Sequence, residues 1–196
     1  MDDEVARRLV HASGAILPTA WVVGQLDAVP ELPWQVVRYV LVLATVSALT
    51  LEVIRLFVGL DWAIFEKLTR EYEQENLAGY ALYLISAAAV ALLAPKVVAI
   101  PAILMLTIGD PVSGLLGSGS LTKETYVLLA MFGVCTGIAS FFVGWLAAAL
   151  GGLAATAADG LKPVVAGYVL DDNLTIPPAA AAAMFVGMEL MATLSL

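Results

Sequence analysis

The residues able to do chemistry in this chain are acids and cations set inside or at the edges of apolar stretches. Asp110 lies between Gly109 and Pro111. Glu52 and Arg55 are three residues apart, as are Asp159 and Lys162. Asp171, Asp172 and Asn173 are consecutive, and Arg7, Arg8 and His11 fit on one helical turn. A charge at the centre of a bilayer costs about 2.5–3.5 kcal/mol on insertion scales, so each such residue needs a reason. Carboxylates mixed with Arg and Lys are what metal-assisted phosphoryl transfer requires. The cations meet phosphate oxygens, and the acids hold magnesium or meet the attacking hydroxyl.

Each set also has a plainer reading. Glu52 and Arg55 share one helix face and can form an internal ion pair. Asp159 and Lys162 have the same spacing, and a self-neutralising pair is the favoured reading there. Arg7 and Arg8 can be a positive anchor at the membrane surface, with His11 incidental. Gly109, Ser113 and Gly117 form a ladder of small residues at i,i+4 spacing, which allows close helix packing. That ladder does not explain Asp110 or Pro111. A Gly-Asp-Pro break within a span would free backbone groups that need partners in a protein-lined or water-filled cavity. Freed N–H groups beside an acid suit a phosphate together with a hard cation.

The elements that must position these groups are apolar. The chain is 61% hydrophobic with a mean hydropathy of +0.94, against about 45–50% for soluble domains. A hydrocarbon core about 30 Å thick takes roughly 20 apolar residues per helix. The expected fold is therefore all-α, a polytopic transmembrane bundle of six or seven helices forming a single domain over residues 1–196. Spans are expected at residues 12–26, 37–60, 77–94, 97–117, 126–150, 152–170 and 178–196. Pro95 and the Gly151-Gly152 pair mark tight connections, and Pro30 and Pro33 another. Residues 61–76 form an amphipathic helix candidate, with Glu66/Arg70 and Lys67/Glu71 at i,i+4 spacing. The acidic first residues do not make a cleavable signal pattern. One cysteine, Cys135, and one histidine, His11, exclude a disulfide framework and a His-clustered metal centre. The net charge of −8, carried mainly in polar connections, fits a high-salt cytoplasm.

Orientation follows from the basic residues. With the N-terminus inside, Arg7, Arg8, Arg55, Lys67, Arg70 and Lys123 lie towards the cytoplasm, and Arg38 and Lys96 lie outside. Arg7, Arg8, His11, Glu52, Arg55, Asp110, Lys123 and Asp171–Asn173 then converge on the cytoplasmic face. The short first span is the weak point of this topology, because a re-entrant segment there would invert the rest.

The order of these motifs resembles the dolichol kinase, phytol kinase and CTP-dependent diacylglycerol kinase family. The matching residues are Arg7-Arg8-Leu9-Val10-His11, Glu52-x-x-Arg55, Arg70-x-x-Glu73 with Gly79, Gly109-Asp110-x-x-Ser113-x-x-x-Gly117, and Asp172-Asn173-Leu174-x-x-Pro177. The chain departs from the family pattern at Ser113, where alanine is usual, and in residues 118–125, which lack a Lys-x-x-Glu-Gly run. The resemblance implies a kinase that phosphorylates a membrane isoprenoid alcohol such as dolichol or another polyprenol, with CTP as donor and Mg2+ as cofactor. It implies Asp110, His11 and Glu52 as catalytic residues, with Asp110 and Asp172 on the metal. Arg7, Arg8, Arg55, Gly109, Ser113, Gly117, Lys123 and Asn173 would bind nucleotide and phosphate. An archaeal membrane enzyme with its site on the cytoplasmic face would fit the acidic loops, and no nucleic-acid partner is expected. The alternatives are a diacylglycerol-type lipid kinase, a lipid-phosphate cytidylyltransferase, and a non-enzymatic transporter or scaffold. Transporters often carry paired broken helices in repeated halves, and no such repeat is visible here.

Overall fold

The computed structural model describes residues 13–25, 32–59, 62, 73–117, 123–161, 164–165 and 168–194. The residues Arg7, Arg8 and His11, the helix candidate's Glu66, Lys67, Arg70 and Glu71, and Lys162 lie outside them. The described chain is helical. Helix α1 is Ile16–Gly24, and α2 is Trp34–Ile54, continued by a π turn over Arg55–Gly59. Helix α3 is Gly79–Leu93 and α4 is Lys96–Leu104, which passes through a π turn, Met105–Gly109, into α5, Asp110–Leu116. Helices α6, α7 and α8 are Thr125–Ser140, Trp145–Gly160 and Asp172–Leu194. Between α7 and α8, β1 (Val164–Val165) pairs antiparallel with β2 (Tyr168–Val169), Val164 opposite Val169.

Among the described residues, three helices are long and apolar enough to cross a membrane: Trp34–Gly59, Lys96–Leu116 and Asp172–Leu194. Gly79–Leu93 and Thr125–Ser140 are shorter apolar helices. The burial pattern separates inner from outer helices. The most apolar window of Lys96–Leu116 is 67% buried, whereas that of Trp34–Gly59 is 17% buried. Residues 98–106 are buried without exception, so α4 runs through the middle of the bundle. The outer faces are also apolar: Tyr39, Leu43, Phe57, Leu93, Leu129 and Phe141 are all exposed. A surface of this kind is unfavourable in water and ordinary in lipid.

Short connections make the neighbours antiparallel. Ala94 and Pro95 alone join α3 to α4, residues 141–144 join α6 to α7, and α8 packs against both α7 and α3. It follows that the ends of α2, α5 and α7 and the starts of α3, α6 and α8 share one end of the bundle. That end carries the polar connections.

The structure corrects several boundaries. Helix α1 has nine residues, about 13 Å of rise, which is half of what the expected first span requires. Its direction agrees with that span, since Gly14 lies against Tyr83 and Thr107 while Trp21 lies against Trp34 and Lys96. The Gly151-Gly152 pair is not a connection. Both residues are buried inside α7. A Cβ on Gly151 would overlap Met184 of α8, and one on Gly152 would come 2.9 Å from the backbone nitrogen of Thr136 in α6. These glycines let three helices approach closely, and the turn falls at residues 141–144 instead. Asp171–Asn173, expected to close the sixth span, opens α8. The Asp171 carboxylate accepts the Asn173 N–H at 3.0 Å, the N-cap bond that starts a helix. Pro177 and Pro178 lie within α8 rather than before it. Finally, Gly109-Asp110-Pro111 does not break its helix, because the π turn carries the chain through.

Candidate metal centre at the polar end of the bundle

Asp110, Asp159 and Asp172 come together from α5, α7 and α8. Each offers one carboxylate oxygen, and these oxygens lie within 4.8 Å of one another. Asp159 and Asp172 are buried and Asp110 is half-buried. Like charges this close are unfavourable without compensating cations or shared protons.

Local structure aims each acid. Before Asp110, the π turn inserts an extra residue. One residue is about 100° of helical rotation, so the turn redirects everything after it around the axis. π turns of this kind are frequent at functional sites. Pro111 follows the π turn directly, where the altered hydrogen-bond register accommodates its missing N–H. Gly109 allows the close approach: a Cβ there would be 2.9 Å from Cys135 Sγ and 3.0 Å from Met131. Asp172 is held by the capped start of α8, where a negative charge is favoured by the helix dipole.

Asp159 is the best-braced of the three. Ser113 Oγ donates to its Oδ2 at 2.7 Å, and Lys123 Nζ donates to its Oδ1 at 2.5 Å. Lys123 also donates to Ser113 Oγ at 2.8 Å, which closes a three-membered ring of side chains. Ser113 thus does more than pack as a small residue. Gly117 ends α5, its N–H donating to the Ser113 carbonyl.

Beside the acids, Asn173 is fixed from several directions. Its Nδ2 donates to Asp171 Oδ1 at 2.6 Å, and a Cβ on Gly79 would come within 2.9 Å of that nitrogen. Pro177 has no N–H to donate back to the carbonyl four residues earlier, which belongs to Asn173. Ser86 Oγ on α3 takes that place, donating to Asn173 O at 2.6 Å. The buried Asn173 Oδ1 has no hydrogen-bond partner among the described residues.

Glu52 and Arg55 form a separate knot. Arg55 Nε and Nη2 grip the two oxygens of Glu52 at 3.0 and 2.7 Å. The same carboxylate accepts the Tyr80 hydroxyl at 2.5 Å and the Ala78 N–H at 2.9 Å. Arg55 also donates to the carbonyls of Glu73, Gln74 and Asn76. These contacts belong to an internal ion pair that fastens the end of α2 to the start of α3. They are not the contacts of an acid or cation presented to substrate, which the sequence suggested for Glu52 and Arg55. The knot still reaches the site indirectly, because Gly79 lies between it and Asn173.

Of the expected metal ligands, Asp110 and Asp172 are thus brought together, with Ser113, Lys123 and Asn173 nearby. Asp159, whose spacing from Lys162 suggests a local pair, joins them as a residue the sequence does not single out for the site. Its partners are Ser113 and Lys123. The signal that could have found it is Ser113, a hydroxyl inside a ladder of small residues that needs a buried partner. The oxygen donors fit a hard divalent cation such as magnesium, which binds through one or two carboxylates and keeps open positions for water and phosphate. Compared with family models, with curated proteins and with solved structures, the chain matches none.

Proposed function

We propose that the chain is a multi-pass membrane phosphotransferase that moves the terminal phosphoryl group of CTP to the hydroxyl of an isoprenoid alcohol such as dolichol or another polyprenol. The observation that carries this reading is the meeting of Asp110, Asp159 and Asp172 at one end of an apolar bundle. Asp110 and Asp172 would hold Mg2+, and Asp159 positions Lys123. The bound cation supplies charge neutralisation on the phosphates. Lys123, held by Asp159 and Ser113, offers an ammonium to a phosphate oxygen as charge moves to the leaving group. Asp110, half-buried, would receive the proton of the attacking hydroxyl through the carboxylate oxygen it does not offer to the metal. Arg7, Arg8 and His11 remain proposed phosphate and catalytic contacts on the grounds of motif order alone.

Membrane placement is supported by the apolar outer faces and by aromatic residues at both bundle ends. Trp145 starts α7 at one end and Tyr126 lies in the first turn of α6 at the other, both exposed, as in interfacial belts. In the inside-N-terminus orientation the acids face the cytoplasm, where nucleotide is available. The acidic charge fits an archaeal, high-salt setting.

The test incubates purified protein in lipid with magnesium, each labelled nucleoside triphosphate, and a panel of polyprenols, diacylglycerol-like diols and short isoprenoid alcohols. The expected products are CDP and a polyprenyl phosphate. Pyrophosphate release on a lipid phosphate would replace the kinase with a cytidylyltransferase. No transfer to any acceptor would overturn the reading.

A further inference from the structure

The opposite end of the bundle holds a polar cavity, of about 480 Å3, lined by Trp21, Pro33, Trp34, Gln35, Arg38 and Lys96. Among the described residues its lining includes two cations and no acid. Neither cation makes a salt bridge among the described residues. Arg38 donates through Nε to the Ala91 carbonyl at 2.7 Å and lies 5.9 Å from the centre of the Trp34 ring. Lys96 Nζ lies 5.1 Å from the centre of the Trp21 ring. The two indoles meet edge to face at 6.1 Å, which holds the wall together.

Two further observations point to an anion. Trp34 is only 8% exposed, and its Nε1, which can only donate, has no acceptor among the described residues. Two helices also begin at this cavity, α2 at Trp34 and α4 at Lys96. Their N-caps are Pro33 and Pro95, and neither supplies a side-chain cap bond. Helix starts carry partial positive charge and free N–H groups, the usual setting for a bound phosphate. Cations, an unmatched buried donor and two uncapped helix starts therefore coincide in a cavity of ligand size.

We propose that this cavity binds a phosphate-bearing anion at the headgroup level of the membrane face opposite the carboxylate cluster. The proposal does not depend on the kinase reading. The phosphate can come from an anionic phospholipid or from solution, and the test separates the two. Protein purified in uncharged detergent is titrated with phosphatidylglycerol, with phosphatidylcholine and with inorganic phosphate. Retention of lipid is read by native mass spectrometry, and phosphate binding by tryptophan emission. Phosphatidylglycerol should bind at least about tenfold more tightly than phosphatidylcholine. The Arg38→Gln/Lys96→Gln pair should abolish that difference. Trp34→Phe keeps the ring packing and removes only the N–H, and should weaken phosphatidylglycerol about three- to tenfold. It decides the matter if the double variant fails to fold. Binding of inorganic phosphate that displaces phosphatidylglycerol would assign the site to soluble anions. Phosphatidylglycerol binding without phosphate binding would assign it to the headgroup. Equal retention of the two lipids with no phosphate binding, or a preference unchanged in Trp34→Phe and in the double variant, would overturn the proposal.

Discussion

Lys123, just before α6, reaches Asp159, near the end of α7, at 2.5 Å, and both touch Ser113 on α5. The ring ties three helices together beside Asp110 and Asp172. Asp159 is fully buried, and the Lys123 side chain is 18% exposed, so the bond is shielded from the screening that weakens surface pairs.

Removing one partner of that pair should be costly. Asp159→Asn should destabilise the protein by about 3 kcal/mol, since a buried ammonium loses its counter-charge. The Asp159→Asn/Lys123→Met double variant should recover more than half of that loss without recovering phosphoryl transfer. Denaturation in detergent, run as a double-mutant cycle alongside turnover, measures both effects. Additive losses in stability would mean that the two residues are not coupled.

Asp110→Asn should behave differently. The side chain is half-buried and keeps its volume, so the melting temperature should change little. Transfer should fall by at least about 10³-fold, or ~4 kcal/mol of barrier. Undiminished turnover in a folded variant would remove Asp110 from the chemistry.

The bond from Ser86 to the Asn173 carbonyl exists because Pro177 cannot supply an N–H there. Ser86→Ala should cost about 1–3 kcal/mol by leaving a buried carbonyl without a partner. In a Pro177→Ala background the helix can close its own bond, and the same substitution should cost less. Equal costs in the two backgrounds, measured by thermal or denaturant unfolding, would contradict this account of the bond.

Glu52→Ala should unfold or strongly destabilise the protein, by about 3–5 kcal/mol, because it leaves Arg55 partly buried without its carboxylate. Glu52→Gln keeps the acceptor oxygen and should be milder. If the pair is a fastening, the folded Glu52→Gln protein should retain its Michaelis constant for magnesium. A weakened magnesium dependence in that variant, with stability intact, would return Glu52 to the catalytic site.

How far the sequence announced this arrangement varies from residue to residue. Asp110 and Asp172 stood out because isolated acids in apolar segments need a reason, and they meet. Asp159 was hidden by Lys162, whose i,i+3 spacing offered a local partner, while the actual cation comes from the segment just before α6, 36 residues away. The Gly151-Gly152 pair was misread because a glycine pair serves equally in a turn or at a helix contact, and only the neighbours Thr136 and Met184 decide. Hydropathy could not arbitrate. Helices apolar on both inner and outer faces give little periodic signal, so the break between α6 and α7 left no mark at Phe141–Gly144. Asp171 could have been recognised as a helix start, since an acid N-cap followed by Asp172 in the first turn is a start signal. The apolar run before it drew the residue to the wrong helix.

Sidedness gives one more check. Single cysteines at Thr125 and Gln35, in a Cys135→Ser background, should label from opposite faces of sealed vesicles, Thr125 from the cytoplasmic side. Both are exposed and start helices at opposite ends of the bundle. Labelling of Thr125 from outside alone would place the carboxylates away from cytoplasmic nucleotide.

If Asp110 and Asp172 hold the metal, with Asp159 committed to Ser113 and Lys123 beside them, cation binding must depend on both. Titration of purified protein with Mn2+, followed by electron paramagnetic resonance, tests it without requiring the lipid substrate. The expected result is a saturable site that magnesium displaces, that Asp110→Asn and Asp172→Asn each weaken at least about tenfold, and that Glu52→Gln leaves in place. Mn2+ binding that survives both aspartate substitutions unchanged, or no binding to the folded wild-type protein, would contradict it.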